Sequence, residues 1–61
     1  MKVGDKIAVT NNLLKQYVKG TVTQMEICFF RVRDEWNGNV YTFHWNDDIE
    51  INENVEETIY P

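Results

Sequence analysis

With Cys28 as its only cysteine, the chain can form no internal disulfide. A lone cysteine inside the apolar run Ile27, Cys28, Phe29, Phe30 behaves as a small hydrophobe and fits a reduced, intracellular setting. That run is also the longest apolar stretch, far too short to span a bilayer, and no basic start followed by an apolar segment opens the chain. These shortages lead us to expect a cytoplasmic protein without a membrane segment. A single histidine, His44, and a single cysteine fall short of the several Cys and His ligands of a zinc site. The alternating Asp, Asn and Gly loop of a calcium site is missing too, so neither a metal nor a cofactor is expected. Lysine and arginine are absent after Arg33. No internal repeat, low-complexity tract or linker breaks the chain.

What is present points to one small domain. A chain of 61 residues has room for a single core and buries only about 60% of the surface it exposes when unfolded. An apolar fraction of 43% with 13% aromatics is ordinary for a globular protein and too high for disorder. Charge is divided unevenly. Residues 1–33 hold all six bases (Lys2, Lys6, Lys15, Lys19, Arg31, Arg33) against Asp5 and Glu26, whereas residues 34–61 hold eight carboxylates and no base. The second half is therefore expected to form an acidic face that repels phosphate and favours basic partners.

Strand signals dominate the pass along the chain. Val3 to Val9 is rich in β-branched residues after a Gly-Asp turn and reads as a first strand. Thr10 to Gln16 reads as a loop with one helical turn, and Gly20 as a bulge or bend before a second strand over Thr21–Ile27. Phe29 to Arg33 alternates with period two, which points Phe30 and Val32 inward and assigns Cys28 to the same inward parity. Asn37-Gly38 is a strong hairpin signal, because both residue types tolerate positive φ. The return strand, Val40 to Trp45, places Tyr41, Phe43 and Trp45 on one wholly aromatic face; Tyr41 and Phe43 are expected in the core. Asn46-Asp47-Asp48 turns the chain into a closing strand, Ile49-Glu50-Ile51. After it, Asn54 with Glu57 matches a helix N-cap and its returning carboxylate.

The sequence Val3-Gly4-Asp5, Gly20-Thr21-Val22, Phe30-Arg31-Val32-Arg33-Asp34-Glu35-Trp36-Asn37-Gly38, Tyr41-Thr42-Phe43 and Asp47-Asp48-Ile49-Glu50-Ile51 resembles small SH3-like β-barrel domains, including the Tudor-like and KOW-like ones. The resemblance covers residues 3–51. It implies an all-β, five-stranded barrel over residues 1–51 with a C-terminal tail over 52–61. No groove pattern of the proline-peptide-binding SH3 domains is visible. The chain also looks like a phage or bacterial accessory protein that binds and modulates a larger host protein.

Three readings of function follow. A catalytic site would have to be built from Cys28 and His44 in a chain too small to hold a pocket beside its core, so no enzyme is expected. Protein binding through the acidic half would use Glu35, Trp36, Trp45, Asp47, Asp48 and Glu50 against a basic partner surface, with the tryptophans as anchors. A variant is mimicry of nucleic acid, the carboxylates filling a basic groove on a DNA- or RNA-binding enzyme. The alternative is weak nucleic-acid binding through Lys15, Lys19, Phe29, Arg31 and Arg33, which the pI near 4.7 opposes.

Overall fold

The computed structural model describes residues 1–53, and it is all-β. Five antiparallel strands form one sheet: β1 (Lys6–Asn11), β2 (Gln16–Met25), β3 (Phe29–Asp34), β4 (Val40–His44) and β5 (Ile49–Asn52). Their order across the sheet is β4-β3-β2-β1-β5, so β4 and β5 are its two edges and the sheet is not closed. The proposed helix start at Asn54 lies outside the described residues.

Register explains how so small a sheet encloses a core. β2 is the longest strand, and only part of it serves each neighbour. Gln16 to Thr21 pairs with β1, while Gly20 to Met25 pairs with β3. Gly20 and Thr21 alone pair on both sides. The sheet therefore turns over at the middle of β2, and its two wings face each other across Ile7, Val9, Val18, Val22, Phe30, Val32 and Phe43. Gly20 is needed at that point. A Cβ there would collide with the carbonyl of Arg33 on β3, so the close approach of the two backbones requires glycine. Of the bulge or bend expected at Gly20, the bend lies there, whereas the bulge lies between Val22 and Gln24, where the register of β2 against β3 shifts. Just there, the Gly4 and Val22 amides bond to the Val22 and Asp5 carbonyls and hold the N-terminal segment to the kink.

Several local expectations are corrected. β1 continues to Asn11, and residues 12–15 form a tight turn and not a loop with a helical turn. The buried Asn11 organises it by accepting the Leu13 and Leu14 amides on its Oδ1, both at 3.1 Å, and Lys15 closes it with φ of 52°. β2 stops at Met25, leaving Ile27 95% exposed. Cys28 is exposed, not inward, because β3 begins one residue after it and strand alternation does not reach into the turn. In the 35–39 connection Gly38 has φ of 75°, but Asn37 is not in the left-handed region, so this is no two-residue Asn-Gly turn. The side chain of Asp34 shapes the longer loop.

The inward reading of Phe30 and Val32 holds, both being fully buried. Phe43 joins them, with its ring 5.5 Å from that of Phe30. Tyr41 is only half-buried, packed at the margin of the core, with its hydroxyl accepting from Asn37 Nδ2 at 3.1 Å. Among the described residues no helix is long and apolar enough to cross a membrane.

Candidate binding surfaces

The six acidic-half residues do not form one patch. Glu35 and Trp36 sit in the β3–β4 loop; Trp45, Asp47 and Asp48 sit in the β4–β5 turn; Glu50 lies on β5, opposite Thr10. β4 separates the first two groups, and five residues of strand span about 17 Å. Glu50 is at the far edge of the sheet. Neighbours in sequence are thus parted by the strand that joins them.

Each member has its own setting. The Glu35 carboxylate lies 3.5 Å from Lys19 Nζ, and its amide donates to the Lys19 carbonyl. Trp45 is 40% exposed and covers the end of the core, its ring 4.7 Å from Phe30 and its Nε1 donating to the Glu26 carbonyl. It is more a lid than a free anchor. Asp47 closes the turn: its Oδ2 accepts the His44 amide at 3.3 Å, its own amide donates to the His44 carbonyl, and its carbonyl accepts from Ile49. Asp48 accepts from Asn12 at both its carbonyl and its Oδ1.

Trp36 differs from all of these at 89% exposure. Its loop is rigidly made. Asp34 Oδ1 accepts the amides of Trp36 and Asn37, the Gly38 amide donates to the Asp34 carbonyl, and Asn37 Oδ1 accepts the Asn39 amide. Asp and Asn side chains here bond to their own backbone, which fixes the loop without burying the indole. The pattern Asp34-Glu35-Trp36-Asn37-Gly38 carries that information in the sequence.

The basic set is gathered better than the acidic one. Phe29, Arg31 and Arg33 point outward on β3, and the register aligns Arg33 with Thr21 of β2 and Lys6 of β1. Lys19 follows on the same face, one pleat further along. Arg31 is held in place by Nε donating to Thr42 Oγ1, Nη1 donating to Gln24 Oε1, and its guanidinium 5.4 Å from the Phe29 ring. Phe29 in turn meets His44, ring centroids 6.0 Å apart. Lys15 lies away from this group, in the β1–β2 turn. Lys6 is the member that sequence reasoning missed; only the strand register places it beside Arg33.

Among the described residues no three His, Cys, Asp or Glu side chains gather where they could hold a metal ion. Comparison with protein-family models, with curated proteins and with solved structures found no match.

Proposed function

We propose that this chain is a small, non-catalytic protein-binding module, SH3-like in architecture and cytoplasmic, that attaches to a larger protein through Trp36. The observation that carries this reading is an indole 89% exposed on a loop whose backbone is held by Asp34 and Asn37. Tryptophan is the residue type most enriched among interface anchors, and a pre-set loop loses little freedom on binding. The strand order, with β5 returning beside β1 after β4, supports the SH3-like reading. A reducing compartment suits the exposed, unpaired Cys28. The net charge of −4 favours partners with basic surfaces.

Affinity capture from host lysate, with the parent chain and Trp36→Ala immobilised side by side, tests it. The partner held by the parent is expected to bind Trp36→Ala at least about 30-fold more weakly, the size of a 2 kcal/mol anchor. Melting temperature should barely change, because an exposed side chain contributes little to folding. Equal capture by both proteins would remove Trp36 from the site.

A second reading rests on the outward row of Lys6 and Arg33 with Arg31, Phe29 and Lys19 nearby. Bases with an aromatic ring on one sheet face suit single-stranded nucleic acid. The row is short and the whole chain is acidic, which places this reading behind protein binding.

A further inference from the structure

Among the described residues β4 is an edge strand whose own residues carry no charge, proline or bulge. Proteins guard sheet edges with lysine, proline, bulges, inward charges or very short strands. Val40-Tyr41-Thr42-Phe43-His44 contains no Lys, Arg, Asp, Glu or Pro, and its pairing with β3 runs unbroken from Arg33↔Val40 to Phe29↔His44. The opposite edge differs. β5 is one residue shorter, carries Glu50, and has its Ile49 amide bonded to Asp47.

The backbone groups that β4 presents can be identified. In an antiparallel pair, residues alternate between exchanging hydrogen bonds with the partner strand and pointing them away. The Asp34 amide donates to the Asn39 carbonyl at one end, and the Trp45 amide donates to the Cys28 carbonyl at the other. Both fix the same phase, so Tyr41 and Phe43 bond to β3, while Val40, Thr42 and His44 face outward. His44 is already occupied, its amide by the Asp47 carboxylate and its carbonyl by the Asp47 amide. Val40 and Thr42 remain, with two N–H and two C=O groups along an edge that no other strand covers among the described residues. Both residues are exposed.

We propose that this edge receives an extended segment of the partner protein as an added strand, with a basic residue at the end that meets Asp47. The proposal rests on the protein-binding reading and names its mode. Main-chain hydrogen bonds to Val40 and Thr42 would supply the pairing, as in strand-addition complexes generally. Charge selects the segment. Asp47 sits on the edge itself, bonded to the last residue of β4, and Glu26 and Asp48 occupy the flanking turns at that end. Arg33 stands on β3, one strand further in, while the Arg31 guanidinium is bonded to Thr42 at mid-strand, away from the Asp47 end. Arg31 is also committed to Gln24. A second copy of this chain fits less well, since each copy carries −4 and the two repel at long range.

The test begins with random twelve-residue peptides displayed on phage and selected against the immobilised full chain. The tightest selected peptide is then measured against variants. Thr42→Pro removes an outward N–H but no bond to β3, and edge strands tolerate proline. It should weaken the peptide about tenfold or more, as expected for lost main-chain hydrogen bonds. Thr42→Val, which keeps the amide, should bind like the parent. Asp47→Asn retains the oxygen that accepts the His44 amide, and should weaken a Lys- or Arg-ended peptide more in low salt than in high salt. Amide exchange by NMR on the parent, which does not depend on any variant folding, should show Val40 and Thr42 becoming protected when the peptide binds. No enriched peptide, unchanged affinity in Thr42→Pro, or no protection at those two amides would overturn the inference. A concentration-dependent dimer that protects the same amides would replace the peptide with a second copy. If Trp36→Ala abolishes binding while Thr42→Pro does not, the edge fails and the module reading stands; if neither variant matters, both fail.

Discussion

Gly20→Val is expected to leave the chain unfolded at room temperature. The glycine lies where the sheet turns over, facing Ile7 on one side and Asp34 on the other. Any Cβ placed there meets backbone, namely the carbonyl carbon of Arg33 at 2.7 Å and the Cα of Asp34 at 3.1 Å, with the carbonyl oxygen closer still. Backbone cannot swing aside as a flexible side chain can. Relief requires β2 and β3 to separate at the residues that join the two wings. A core of this size seldom supplies more than about 3–5 kcal/mol, so even partial loss of that junction is enough. Circular dichroism and amide dispersion in proton NMR read the outcome. Gly38→Ala is the informative contrast, since its Cβ would enter open space and only the φ of 75° is unfavourable. It should lower stability by about 1–2 kcal/mol and leave the fold intact. A folded Gly20→Val protein with an unchanged melting point would mean that β2 does not approach β3 as described.

Phe30→Ala should be as damaging by a different route. Phe30 is fully buried between the rings of Phe43 and Trp45, at centroid distances of 5.5 and 4.7 Å. Truncation leaves a cavity beneath Trp45, which lies over the end of the core. Phe→Ala in a core typically costs about 3–5 kcal/mol, and lost ring contacts about 0.5–1.5 kcal/mol per pair beyond area burial. That equals or exceeds the whole stability expected of so small a domain. Tryptophan fluorescence during urea unfolding would follow it, because Trp45 loses its packing partner. Phe30→Leu should keep the chain folded with a reduced midpoint. If Phe30→Ala unfolds at the same urea concentration as the parent, strand β3 has its faces reversed.

Period-two alternation made the middle of the chain legible in advance. Phe30, Val32 and Phe43 were identifiable as core because β3 and β4 are regular strands with one wet face. Gly20 was visible as special, but its role was not: a glycine at a close backbone approach and a glycine at a bulge look alike until the partner strand is placed. The real irregularity, at Thr23, has no residue signature, since threonine is an ordinary strand former. Cys28 departs from the alternation because it precedes the first residue of β3 and belongs to the turn. The candidate surfaces were harder. Glu35, Trp36, Asp47 and Asp48 fall within one short stretch of sequence, yet a five-residue strand holds the two pairs apart; Lys6 is far in sequence from Arg33, yet pairing through Thr21 sets the two side by side. Proximity along a β chain is a poor guide to proximity in space. The open edge at β4 was invisible for another reason, because edge position follows from strand order and no side chain announces it.

Amide hydrogen exchange across β4 in the free protein at low concentration tests the account most directly. The register and the edge position together predict an alternation: slow exchange at Tyr41 and Phe43, which bond to β3, and fast exchange at Val40 and Thr42, which face solvent. Uniform slow exchange from Val40 to His44 would show that something already covers this edge in the isolated chain, and would contradict the claim that β4 is open to a partner.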